Sequence, residues 1–178
     1  DLVASAAAAH LEELVETLSR VRTLEDEATA HEARIFGKRL RYVLEPIREA
    51  IPDADVALKQ LKRLQELLGE LQDLAVRTAA LSRATEHAAL KRARTEVDLV
   101  VKVGKDAVVG GGEAARQVEP GLLALLRVAQ ARKREVFAEL IERWVDGGEL
   151  STLRATIETL VRAIWQVTRN EAPREIER

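Results

Sequence analysis

The sequence predicts an all-α protein, a bundle of about six helices with a four-helix-bundle-like core. Three observations support this fold class. The 178 residues are rich in Ala, Leu, Arg and Glu, which favour helix, and contain only five aromatic residues. Apolar residues recur at spacings of three and four, as on one face of a helix, and no segment alternates like a strand. The length suits one domain, so residues 1–178 are predicted to form a single helical domain.

The first helix is predicted over about residues 2–22. Its apolar stripe consists of Leu11, Leu14, Leu18 and Val21. Two capping boxes compete to begin the second helix, which runs to about Ile51: Thr23 with Asp26, and Thr29 with Glu32.

Pro46 lies inside the second helix and removes one backbone donor, so we expect a kink or an early end there. Pro52 stops the helix, and Asp53 or Asp55 can cap the third one. The third helix carries a heptad-like seam for packing against other helices. The seam consists of Leu61, Leu64, Leu68, Leu71, Ala75 and Thr78.

A fourth helix is predicted over about residues 84–103, weakened at its end by β-branched valines. The glycines at 110–112 form the clearest break in the chain. Pro120 fits the first turn of a fifth helix, which Gly147 and Gly148 end. The fifth helix has its apolar face at Leu122, Leu125, Ala129, Val136, Leu140 and Trp144.

Ser151 can cap the sixth helix, which runs to about Thr168, and the charged tail at 170–178 is expected to fray. The aromatic side chains of Trp144, Trp165 and Phe137 are expected in the core.

Composition excludes several classes of function. Without cysteine there is no disulfide, thiolate zinc site or cysteine nucleophile, and the three histidines are far apart in sequence. No catalytic residue, metal site or cofactor is predicted. No apolar run approaches the ~18 residues that span a bilayer, and a signal-peptide pattern is lacking, so we expect a cytoplasmic protein without membrane contact. The net charge of −2 indicates no anionic partner, so such a partner must be inferred from local clustering.

The most informative segment lies in the second helix, where residues 34–44 contain four basic residues and no acidic one. On a helical wheel with His31 at zero, Lys38, Arg34 and Arg41 fall between about −20° and −80°. Arg39 stands apart near 80°. The large apolar residues fall between about 120° and 180°. They are Val43, Phe36, Ile47 and Leu40. The cationic stripe is therefore predicted to lie nearly opposite the apolar stripe.

The third helix opens with Lys59, Lys62 and Arg63. If the second and third helices are antiparallel neighbours, their cationic faces could line one groove that suits a polyanion. If Thr29 is the cap, His31 lies in the first helical turn, where free N–H groups also favour an anion.

Other interpretations of the same stripe remain open. It could be a solvated helix face, or it could be the surface through which a protein–protein scaffold contacts an acidic partner. The basic runs 91–94 and 132–134 are also interpreted as solvated helix faces. A duplex backbone could bind the stripe, although sparse aromatics argue against base stacking. An enzyme that acts on phosphoesters would need a compact carboxylate cluster beside the basic face, and Glu32 and Glu45 are too few to form one.

The run from His31 to Tyr42, HEARIFGKRLRY, resembles the signature of the conserved-histidine α-helical domain, the CHAD family. A second run from Leu64 to Leu74, LQELLGELQDL, is similar to the family's second block. The resemblance implies a helical domain that binds inorganic polyphosphate without catalysis, in the bacterial cytoplasm and at polyphosphate granules. It assigns anion contacts to His31, Arg34, Lys38, Arg39 and Arg41, with Lys59, Lys62 and Arg63 from the next helix. Tyr42, Gly69 and Asp73 match the pattern and are assigned to packing and capping.

The resemblance implies a domain of two helical halves, which in some members of the family is fused to a triphosphate-tunnel domain. This sequence contains one copy that resembles the C-terminal half, and it does not begin with methionine. We therefore expect an N-terminal half to be absent from it.

Overall fold

The described part of the chain, residues 2–49, 51, 53–104 and 113–171 of a computed structural model, consists of helices and turns without a strand. A 3-10 turn, Glu45–Ile47, follows the second helix, and a π-helical turn, Ile141–Val145, continues the fourth. The all-α prediction is confirmed, but the described α-helices number five and not six. They are α1 (Leu2–Ser19), α2 (Glu27–Leu44), α3 (Asp53–Val103), α4 (Glu113–Leu140) and α5 (Glu149–Glu171).

The count differs because the predicted third and fourth helices form one helix, α3, of 51 residues. No glycine or proline occurs between Gly69 and Gly104, so nothing in this segment interrupts the backbone hydrogen bonds. Within the helix, the Thr85 hydroxyl donates to the Leu81 carbonyl at 2.8 Å. The β-branched valines do not end α3 before Val103, and Gly104 follows with φ +74°. The predicted glycine break at 110–112 lies outside the described residues.

Proline gave one correct prediction of a helix end, at Pro46, and one wrong prediction of a helix start, at Pro120. The helix α2 ends at Leu44, and Pro46 lies in the 3-10 turn that follows, so the early end is confirmed. Pro120, however, lies inside α4. Residues 113–119 contain no other helix breaker, and a helix can accommodate one proline at the loss of one hydrogen bond.

Gly147 and Gly148 separate α4 with its π-helical turn from α5, as predicted. A Cβ at Gly147 would collide with the Glu142 carbonyl oxygen, and Gly148 has φ +85°. The helix α5 begins at Glu149, and the Thr152 N–H donates to the Gly148 carbonyl at 3.0 Å. Ser151 is therefore inside α5 and not its cap. The end of the predicted frayed tail, 172–178, lies outside the described residues.

The chain forms two compact units, residues 1–72 with 136–178, and residues 73–135. In the first unit, α1 packs against α2 and α5. The predicted stripe of α1 is buried, as is the predicted seam of α3, where no member is more than 7% exposed. These two rows of leucines supply much of the core of the first unit.

Two of the three aromatic side chains that were expected in the core are not fully buried. Trp144 is buried, but Trp165 is 43% exposed, and Phe137 is half-buried. The buried row of α5 runs through Leu153, Ile157, Leu160 and Ile164, so Trp165 is about 100° away from it. Leu125, which was placed on the apolar face of the predicted fifth helix, lies in the second unit and is 58% exposed.

The helices that the structure describes include none that is long and apolar enough to cross a bilayer.

We expect Leu64→Ala to lower the free energy of unfolding by about 2–5 kcal/mol, because the side chain is fully buried and its loss leaves a cavity. Denaturant unfolding followed by circular dichroism measures this change. Leu90→Ala is the matched control on the same helix, since Leu90 is 59% exposed. A loss in the control as large as in Leu64→Ala would contradict the assigned core.

Candidate functional site

Asp26 immediately precedes the first residue of α2 and closes the turn that leads into it. Its carboxylate accepts hydrogen bonds from the N–H groups of Arg22 (2.9 Å) and Thr23 (2.8 Å). These two backbone hydrogen bonds, that to Arg22 first, lower the pKa of Asp26 below its ordinary value of 3.8. Neither predicted capping box begins the helix, because the N-cap residue is Asp26 and its side chain makes no capping hydrogen bond. Thr29 lies inside α2, which begins at Glu27.

The rotation of α2 about its axis places small side chains against the core. Its buried face consists of Ala30, Ala33, Gly37, Leu40 and Leu44. A Cβ at Gly37 would lie 3.8 Å from both Leu14 Cδ1 and Gln65 Nε2, so α1 and α3 both approach this point.

This rotation corrects the predicted position of the basic stripe. The buried face centres about 90° from the stripe on the helical wheel, so the cations lie on its flank and not opposite it. Phe36 and Val43, expected in the core, are only half-buried on the other flank. The large apolar residues predicted the wrong buried face of α2, because the close contact between the helices is made by small residues.

The helices α2 and α3 are antiparallel neighbours. Gly37 faces Gln65, the Arg34 Nε is 3.7 Å from the Cβ position of Gly69, and Arg48 pairs with Asp55 at 3.0 Å. In these three contacts the residue number on the α2 side rises while the number of its partner on the α3 side falls. The flank of α2 therefore faces the opening turns of α3.

A groove of about 380 Å³ lies between these two helices. We call it the basic groove, and its lining residues are Arg34, Lys38, Arg41, Tyr42, Lys62, Gln65 and Glu66. Four of the seven are cationic and one is acidic, so the groove attracts anions.

The cations of the basic groove differ in their ion pairs. Arg41 Nε is 3.1 Å from Glu45 Oε1, and Lys62 Nζ is 3.8 Å from Glu66 Oε1. Arg34 and Lys38 have no acidic partner within 4.0 Å among the described residues. Their charges are therefore available to a ligand without the loss of an internal pair.

Two buried donors at the basic groove lack hydrogen bonds in the described part of the chain. They are the Arg41 Nε–H and the Gln65 Nε2 amide. The contact of Arg41 with Glu45 is close enough for an ion pair but is not aligned as a hydrogen bond. Unsatisfied buried donors are costly, so these two groups lower the stability of the chain beside the basic groove.

The other sequence-predicted cations do not line the basic groove. His31 is exposed and is the fifth residue of α2, beyond the first turn in which it was placed. Arg39 lies over the Phe36 ring at 5.6 Å. Lys59 pairs with Asp55 at 2.6 Å.

Arg63 lines a different hollow, of about 370 Å³, together with Trp144 and Arg143. Only Arg34, Lys38, Arg41 and Lys62 of the eight predicted residues are therefore brought together in the basic groove.

Sequence reasoning missed Tyr42, Gln65 and Glu66 as groove residues. Tyr42 was assigned to packing, yet it is 51% exposed. The signal was its spacing, because it follows Lys38 by four residues and Arg41 by one. Asp73 is exposed inside α3 and caps no helix.

The described residues contain no group of three or more His, Asp or Glu side chains placed to hold a metal ion.

A family model described as the CHAD domain matches residues 1–82 of this chain. The resemblance read from the two sequence blocks is confirmed over that segment, which contains every residue of the basic groove. The comparisons with curated proteins and with solved structures found no match.

We expect Asp26→Asn to lower the melting temperature at neutral pH. Because the pKa of Asp26 is lowered in the folded protein, its stabilisation is complete above the ordinary pKa and is lost as pH falls through the folded-state pKa. The difference from the unmodified protein should therefore shrink in acid. Thermal unfolding over a pH series tests this, with exposed Asp98→Asn as the control. A pH-independent difference would contradict it.

We expect Gly37→Ala to raise the free energy of unfolding by about 0.5–1 kcal/mol, since alanine loses less backbone entropy in a helix. The added Cβ would make ordinary contacts at 3.8 Å. Gly37→Leu should destabilise the protein, because a larger side chain separates the helices. Denaturant unfolding of both variants decides whether the helices approach as closely as described.

Proposed function

We propose that this chain binds inorganic polyphosphate in the basic groove and acts as a binding module without catalysis. Arg34, Lys38, Arg41 and Lys62 would hold the anion. The observation that carries the proposal is the convergence of these four cations from two antiparallel helices. The match to the CHAD domain, a family associated with polyphosphate binding, supports it.

The binding energy would be chiefly electrostatic. Each cation that contacts the chain releases condensed counterions, so affinity should fall steeply with salt.

The groove geometry favours a bare phosphate chain over a nucleic acid. Its cations sit in a concave space between helices, which a chain without sugars or bases can enter. Tyr42 is the one aromatic residue in the lining, whereas proteins that bind single strands stack successive bases on several aromatic rings.

The carboxylates of the site support binding rather than phosphoryl transfer. Glu66 alone lines the basic groove, and it pairs with Lys62; Glu45 beside it pairs with Arg41. Metal-assisted phosphoryl chemistry relies on clustered carboxylate ligands, and these two are engaged with cations.

We expect the unmodified chain to bind labelled long-chain polyphosphate with a slope of log affinity against log salt of about −3, given four contacting cations. Lys38→Glu with Arg41→Glu should abolish binding while the helical content is kept. Titration at several salt concentrations, with duplex DNA as a competitor, measures both effects.

Arg83→Glu with Lys91→Glu is the matched control, because it makes the same change in net charge at exposed positions outside the groove. Equal loss in both double variants would point to net charge alone. Absence of binding at low salt would refute the proposal and leave a solvated helix face. Exposed apolar side chains such as Leu90, Val97 and Val101 would then favour a protein–protein scaffold.

A further inference from the structure

Tyr42 is the only tyrosine of the chain, and its side chain is 51% exposed in the lining of the basic groove. The ring is too exposed for core packing to account for its position. It lies instead among charged side chains at the flank of α2.

Two cations of the basic groove lie against the Tyr42 ring. Lys38 Nζ is 5.6 Å and Arg41 Cζ is 5.3 Å from the ring centroid. Two like charges three residues apart on a helix repel each other, and both side chains are flexible. The negative face of an aromatic ring attracts cations, so the ring opposes this repulsion and restrains both side chains beside the groove.

The Tyr42 hydroxyl makes no hydrogen bond with the described residues. A phenol is a donor, and the oxygens of a phosphate are strong acceptors. The hydroxyl is thus a neutral donor beside the same groove that the cations line.

We propose that Tyr42 is a positioning and specificity residue of the basic groove. It holds Lys38 and Arg41 toward the ligand and donates its hydroxyl to a non-bridging oxygen of the bound phosphate chain. This inference rests on the proposed polyphosphate binding. It implies selectivity for an anion narrow enough to lie against the ring, which an unesterified phosphate chain is and a duplex is not.

Two substitutions separate the ring from the hydroxyl. We expect Tyr42→Phe to weaken binding of long-chain polyphosphate about threefold, through loss of one hydrogen bond. Tyr42→Leu should weaken it about tenfold, since both cation–π contacts are lost as well. Neither variant removes a charge, so the salt slope should stay unchanged. The excess of affinity for polyphosphate over duplex DNA should fall in both.

Phe36→Leu is the matched control. It removes an aromatic ring that lies under Arg39 at 5.6 Å on the same helix but outside the groove, and its affinity should equal that of the unmodified chain. A direct signal is available as well. With one tyrosine, ring-labelled tyrosine gives one set of NMR resonances, which should shift on addition of polyphosphate.

The outcomes distinguish the two proposals. If the unmodified chain binds polyphosphate and the Lys38/Arg41 reversal abolishes binding, but both Tyr42 variants keep full affinity, the role of Tyr42 is refuted and the proposed function stands. A Tyr42→Leu variant that loses thermal stability without loss of affinity also refutes it, as a purely structural role. If the unmodified chain does not bind, both proposals fall.

Discussion

The close contact of α2 with α1 and α3 through small side chains is the constraint on which the candidate site depends. Ala30, Ala33 and Gly37 allow the three helices to approach, and this contact fixes the rotation of α2 about its axis. Because that rotation puts Arg34 and Arg41 on the flank of the contact, their side chains lie between two helices and not in open solvent. A larger residue on the small face would open the contact and spread the cations apart.

Much of the fold could be predicted because it follows from leucine spacing. The buried rows of α1 and α3 were read from intervals of three and four, and the burial of Leu14 and Leu64 confirms them. Helix boundaries were less predictable, since they depend on a competition between local signals. Pro46 follows the end of α2, whereas Pro120 lies inside α4 and not in its first turn. The β-branched residues near the end of α3 do not interrupt that helix.

The candidate site was predictable in its residues and less so in its geometry. The cations Lys38 and Lys62 were identified from sequence and converge in the groove. Their position relative to the core was not, because a helical wheel gives most weight to large side chains while the tightest contact uses Gly37. Arg63, adjacent to Lys62 in sequence, lies about 100° away around α3 and reaches a different hollow. Two residues that are adjacent in sequence thus line two different surfaces of the protein.

The short span of the groove has a consequence for a repeating ligand. Arg34 and Arg41 are about 10 Å apart along the axis of α2, so a polymer bound there would contact the groove through only a few of its units. In a polymer of identical units every internal segment is an equivalent ligand, and the number of ways to occupy the groove grows with polymer length. Affinity per polymer molecule would then rise with length through statistics alone, without additional contacts. The same equivalence would let the bound polymer shift by one unit at a time, so that the protein could move along it without full release.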